Sequence, residues 1–130
     1  MTKFEWRKHA KKYYLPKAVP ELIEIPEFKF ITICGSGNPN SSEFADRVAA
    51  LYALSYAIKM APKKGFNPVG YFDYTVFPLE GVWDVNDEAK RVGSWTKDQL
   101  IYKLMIRQPD FVTVVIRCIF LGVEKARLIA

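Results

Sequence analysis

Residues 28–59 read FKFITICGSGNPNSSEFADRVAALYALSYAIK, a strand pattern that passes through a glycine turn into a helix pattern. Phe28, Phe30 and Thr32 alternate with Lys29, Ile31 and Ile33, so the spacing predicts a strand over Phe28–Cys34 with both faces largely apolar. Gly35-Ser36-Gly37-Asn38-Pro39-Asn40 ends it. From Glu43 to Lys59 the positions Phe44, Val48, Leu51, Tyr52, Ser55 and Ile58 fall along one side of a helix. Asn40 or Ser41 is the expected N-cap, with Glu43 completing a capping box if Asn40 serves, and Pro62 and Gly65 stop the run. A glycine pair between strand and helix invites a nucleotide-binding reading. The third glycine is missing, Pro39 removes a donor N–H and no Gly-Lys-Ser/Thr follows, so a plain turn is the better reading.

Toward the C-terminus, Tyr71–Trp83 (YFDYTVFPLEGVW) holds five aromatics and two acids, Asp73 and Glu80. Alternation predicts a strand over Tyr71–Phe77, with Pro78 disrupting the ladder and Leu79-Glu80-Gly81 turning the chain. Aromatic strands are most often core, but aromatics interleaved with acids also suit a surface that receives a flat, cationic organic molecule. Asp84–Gly93 reads as polar linker. Leu100, Tyr102, Leu104 and Ile106 alternate with Ile101, Lys103 and Met105, which predicts a last strand over Leu100–Arg107. The expected fold is α+β: a strand-helix-strand-strand module whose antiparallel sheet is packed on one long helix.

Toward the N-terminus, Lys3–Tyr14 has helical spacing until Pro16 and Pro20 break it, which gives a solvated arm or first helix that Trp6, Tyr13 and Tyr14 would clasp to the body. The expected division is a basic arm over 1–20, the module over 21–113 and an apolar tail over 114–130. Phe111–Val123 (FVTVVIRCIFLGV) is too short to span a bilayer and too uniformly apolar for a surface helix, so it needs a partner surface, inside the fold or on another chain.

The chain has 130 residues and a net charge of +5, enough for one compact domain. Residues 1–17 hold six bases against one acid, and the remainder is neutral. That distribution argues against a groove that tracks nucleic-acid phosphates. Cys34 and Cys118 stand in no metal-ligand pattern, and the one histidine, His9, lies in the basic arm. No zinc site, no cofactor motif and no Ser/His/Asp or Cys/His nucleophile can be assembled from these residues. Two cysteines without a secretion signal fit a reducing cytoplasm, with both thiols buried as small hydrophobes.

Five pieces of sequence together resemble the GyrI-like small-molecule-binding domain family: Tyr14-Leu15-Pro16-Lys17, the turn carrying Gly35, Gly37, Pro39 and Asn40, LYALSYAIK at Leu51–Lys59, PLEGVW at Pro78–Trp83, and MIRQPDFVT at Met105–Thr113. Such domains are similar to the effector-binding domains of bacterial multidrug-sensing transcription regulators. The resemblance implies two copies of the strand-helix-strand-strand module facing each other across a ligand cleft, with an acid of the second copy in the pocket. This chain carries one copy, half of such a duplicated domain, which raises the prospect of a homodimer through the half-domain or the tail. Some members hydrolyse cyclopropane-containing genotoxins by stacking the flat drug on aromatics while a carboxylate steers water. Carried over to this chain, Tyr74, Trp83 and Trp95 would supply stacking, Met105 a soft apolar wall, and Glu80 the one acid in a motif position, although in PLEG it also suits a turn cap. No residue is assigned as catalytic at this level. A small-molecule binder, a hydrolase and a non-enzymatic interaction fragment all remain open.

Overall fold

The computed structural model describes residues 2–113 and 126–129. Four strands form one antiparallel sheet in the order β2-β3-β1-β4, comprising β1 (Lys29–Ser36), β2 (Leu79–Val85), β3 (Leu100–Gln108) and β4 (Ala126–Ile129). The long helix α3 (Ser42–Lys59) packs on one face of it. The fold is α+β, as the alternating and helical periods require.

Register explains which side chains meet the helix. Ile31 pairs with Ile106 and Ile33 with Leu104, while Leu79 also pairs with Ile106, so each row carries apolar groups across the strands. Tyr102, Leu104, Ile106 and Gln108 of β3 are buried with Leu51, Leu54, Ser55 and Ile58 of α3. Two polar contacts join the layers: Gln108 Nε2 donates to Ser55 Oγ at 3.1 Å, with Gln108 Oε1 left without a partner, and Arg47 Nη1 donates to Tyr102 Oη at 3.2 Å. Ser41 is the N-cap, its Oγ accepting from the Phe44 N–H, so the chain uses the second of the two anticipated caps. Gly65 terminates the following 3-10 turn in the left-handed region at φ 85°.

Four expectations change. The aromatic segment Tyr71–Phe77 is not a strand. Its one ladder contact is an isolated parallel bridge between Tyr74 and Phe4, with Phe4 N–H donating to Asp73 O and Thr75 N–H to Phe4 O. The second strand starts after Pro78, and Gly81 lies inside it rather than in a turn, as does Glu80, so neither forms nor caps a turn. Proline at 78 is compatible with that start because it lies outside the ladder. Within 84–93, read as linker, α4 (Asp87–Val92) forms, since Asn86 Oδ1 accepts from the Ala89 N–H and Gly93 closes it at φ 80°. Cys34 is exposed, because it alternates with the buried Ile33 on β1 and faces away from α3. Cys118 and most of the apolar tail lie outside the described residues, although Phe111 and Val112 at its start are buried.

The basic leader is docked. Its turns α1 (Trp6–His9) and α2 (Lys11–Tyr14) carry Trp6 into the core, where the indole Nε1–H donates to Val76 O at 3.0 Å. Opposite, Lys59 at the end of α3 holds the aromatic loop by an ion pair with Asp73 at 3.0 Å and a bond to Tyr74 O, and Tyr71 Oη–H donates to Lys59 O at 2.7 Å. The lysine keeps the Asp73 carboxyl below its ordinary range by hydrogen bonding. Among the described residues no helix is long and apolar enough to cross a membrane.

Candidate functional site on the sheet face away from the helix

Strand alternation puts Glu80 of β2, Met105 and Arg107 of β3, and Phe30 and Thr32 of β1 on the face opposite α3. Glu80 and Met105 are direct cross-strand partners, and Thr32 pairs with Met105 from the other side. Two candidate residues from the sequence, Glu80 and Met105, are therefore brought together. The other three are placed elsewhere. Trp83 pairs with Tyr102 on the helix-side face, its ring 5.1 Å from Tyr102 and 5.7 Å from Phe44, and it remains 43% exposed. Tyr74 is 1% exposed in the core among Phe72, Phe77 and Phe111. Trp95 stands 56% exposed between α4 and the 3-10 turn that leads into β3.

Arg107 is the residue that sequence reading passed over. Its guanidinium lies between two rings, 3.5 Å from the Phe28 centroid and 4.5 Å from that of Phe77. Such a cation held between aromatic faces is stabilised by their quadrupoles and loses freedom to reorient. Nη1 reaches Tyr14 Oη at 3.5 Å, and Tyr14 is itself packed against Trp6 and Phe77. Three separate stretches of chain thus converge on one arginine.

Glu80 sits diagonally across the β2-β3 ladder from Arg107. Same-face diagonal positions lie about 7–8 Å apart, so the two charges feel each other without being forced into contact. No ion pair joins them among the described residues, and both retain a buried atom without a partner: Glu80 Oε2 and Arg107 Nε. Burial pushes the Glu80 carboxyl above its ordinary range, and the neighbouring Arg107 charge offsets part of that rise. Burial likewise raises the Tyr14 phenol, against the Arg107 contact that lowers it. Toward the other end of the strands, a hollow of about 310 Å³ is lined by Cys34, Val82, Asp84, Ile101 and Lys103 together with Gly35, Trp83 and Tyr102 of the helix-side rows. Among the described residues no group of His, Cys, Asp and Glu side chains is arranged to hold a metal ion.

Three solved structures from Listeria innocua are similar to 98% of this chain. One hydrolase shares 30% identity at a TM-score of 0.81, with 66% of its own chain covered. A second hydrolase shares 34% identity at a TM-score of 0.77, with 67% covered. The chain belongs to the family of these Listeria innocua proteins. An uncharacterized conserved protein of the same organism shares 33% identity at a TM-score of 0.78, with 66% covered. The chain spans about two thirds of the length of each of these relatives. No protein-family model and no curated protein matches it. Membership carries the fold, including the sheet that bears Glu80 and Arg107 on its face away from α3.

Proposed function

We propose that this chain is a GyrI-like small-molecule-binding module, half of a duplicated domain, and that the sheet face carrying Glu80, Met105 and Arg107 is the wall against which a flat organic ligand rests. The observation that carries the reading is the half-buried carboxylate of Glu80 beside a soft apolar partner, Met105, and an arginine held between rings. Apolar surface with a few oriented polar groups is the common composition of small-molecule sites. A carboxylate in that setting favours ligands that bring a cation or hydrogen-bond donors to it.

Hydrolysis is a second reading of the same site, favoured by the two related hydrolases and by the raised Glu80 carboxyl. A carboxylate whose proton affinity is raised is a better base for water. In that reading Glu80 accepts a proton as the water oxygen bonds to an electrophilic carbon of the substrate, and the breaking bond leaves its electrons on the departing atom. A strained cyclopropane conjugated to a flat aromatic system is the substrate class this chemistry suits. Incubation of the chain with a cyclopropane-bearing planar electrophile, followed by mass spectrometry, tests it: a gain of one water with wild type and its loss with Glu80→Gln support hydrolysis. Saturable calorimetric binding of planar compounds without that mass gain leaves a binding module. No saturable binding of any planar compound refutes both.

A further inference from the structure

The extended segment between the docked leader and β1 carries side chains that neither the core nor the sheet face uses. Among the described residues, 16–27 make no backbone–backbone hydrogen bond. Both ends of the segment are nonetheless fastened at one place. Arg107 Nη1 donates to Tyr14 Oη at 3.5 Å, the same guanidinium lies 3.5 Å from the Phe28 ring centroid, and the Tyr13 and Phe28 rings meet at 5.4 Å. Residues 15–27 thus form a surface loop with joined ends, a class of loop that is frequently functional. Their side chains recur every three residues. Val19, Leu22 and Ile25 form one set and Glu21, Glu24 and Glu27 another, which is the period of an extended, solvated polyproline-type backbone that Pro20 and Pro26 favour. The apolar set is turned to solvent: Val19 is 72%, Leu22 100% and Ile25 62% exposed. The three glutamates form no ion pair among the described residues.

A leucine held wholly in water on a tethered loop, with two more aliphatic residues beside it, is apolar surface that the fold leaves uncovered and that marks an interaction site. The same loop also supplies a cover. It curls around a hollow of about 310 Å³ lined by Lys12, Pro16, Lys17, Val19, Pro20 and Ile23. Proline, valine and isoleucine give that hollow apolar walls, and its two lysines form no ion pair among the described residues. Leu22 has the opposite charge around it, since Glu21 and Glu24 flank it. Knob and hollow therefore match in polarity and in charge, and they lie in one surface patch. That is the condition for two copies to pair about a two-fold axis and close. An anionic membrane surface is a poor alternative, because three glutamates face it. We propose that the loop 15–27 is a surface on which two copies of this chain pair, with Leu22 of each seated in the hollow of the other and its Glu21 and Glu24 against the partner's Lys12 and the partner's Lys17. One loop a side is smaller than the about 20–30 residues a side of a standard interface, so the expected dissociation constant is micromolar. The pairing is independent of the small-molecule reading of the sheet face.

Sedimentation velocity of the full chain, from low to high micromolar protein, is the test. Wild type should show a reversible monomer–dimer equilibrium that weakens as salt is raised, because exposed charge pairs are screened. Leu22→Asp should weaken the dimer at least about tenfold while far-UV circular dichroism and Tm stay at wild-type values, as an exposed position requires. Glu21→Lys combined with Glu24→Lys, and separately Lys12→Glu combined with Lys17→Glu, should each give monomers. An equimolar mixture of these two double variants should dimerise again, a result that association through the apolar tail does not produce. A wild-type chain that stays monomeric at the highest concentration overturns the inference. So does a dimer that Leu22→Asp leaves intact, or a mixture of the charge-reversed variants that remains monomeric.

Discussion

Trp6 joins the leader to the body, and its replacement by phenylalanine isolates one bond in that joint. The indole is 8% exposed, donates to Val76 O at 3.0 Å and meets the Tyr14 ring at 5.5 Å. Phenylalanine keeps most of the ring packing and removes the donor, which leaves the Val76 carbonyl buried and unsatisfied. Such an orphan costs about 1–3 kcal/mol. With an unfolding entropy near 2.1 cal/mol/K per residue, a chain of this length loses roughly 4–11 °C in Tm. Trp6→Ala adds the loss of a large buried ring, which brings the cost to about 3–5 kcal/mol. Urea unfolding followed by far-UV circular dichroism measures both. The slope with denaturant should be unchanged for Trp6→Phe, because the leader stays docked, and should fall for Trp6→Ala if the leader detaches in the native state and less surface remains to be exposed. A Trp6→Phe change below about 0.5 kcal/mol would mean that the indole bond does not hold the leader, and the account of Tyr14 as a fixed partner of Arg107 would fall with it.

The glycines of the sheet offer a paired test. A Cβ on Gly35 would lie 2.6 Å from ring atoms of Tyr102, which is buried and tied to Arg47 Nη1 at 3.2 Å, so Gly35→Ala should cost about 1–3 kcal/mol in thermal melts. A Cβ on Gly81 meets Trp83 Nε1 at 2.7 Å, but that half-exposed ring can swing aside, and Gly81→Ala should cost under about 1 kcal/mol; the reverse order would contradict the packing described. Tyr74 Oη is buried with no partner, so Tyr74→Phe should be neutral or stabilising by up to about 1–2 kcal/mol and leave planar-ligand binding unchanged, whereas a loss of binding would place Tyr74 in the site. Because the folded carboxyl of Glu80 is raised, its ionised form is disfavoured in the native state, and stability gains as pH falls through the folded value toward that of the unfolded chain. Glu80→Gln should therefore raise Tm at neutral pH, and the gain should fade as the pH approaches the ordinary carboxylate range near ~4.3; a pH-independent difference would show that the charge is not its cause.

The strands facing α3 were legible because their signal is a repeated burial period. Ile31 and Ile33 against Leu104 and Ile106 alternate in the sequence as they do in the sheet, and the helix positions Leu51, Ser55 and Ile58 recur at the spacing that places them on one side. The aromatic loop misled because period 2 reports where side chains point and not which backbone accepts its hydrogen bonds. Asp73 O and Thr75 N–H find their partners in Phe4, about seventy residues away, so an extended segment with strand-like residues sits outside the sheet. Even its alternation is broken in space, since Tyr74, Val76 and Phe77 are all buried. The site was legible only in halves. Glu80 and Met105 were visible as members of motifs, while Arg107 was invisible because Phe28, Phe77 and Tyr14 approach it from three separate stretches and no local spacing encodes that meeting.

The two faces of the sheet differ in how completely the fold accounts for their residues. On the helix side the buried rows are apolar except at Gln108 and Ser55, where Gln108 Nε2 donates to Ser55 Oγ while Gln108 Oε1 is left without a partner, and removing an apolar member leaves a cavity within the same layer. On the other face, a leucine at 80 and a methionine at 107 would pack against Met105, Phe28 and Phe77 without a desolvated charge, and replacements of that kind in other folds are often neutral or stabilising. Stability therefore does not select this glutamate and this arginine. Under the reading proposed above, ligand binding at this face does, and the Glu80→Gln comparison separates that role from stability.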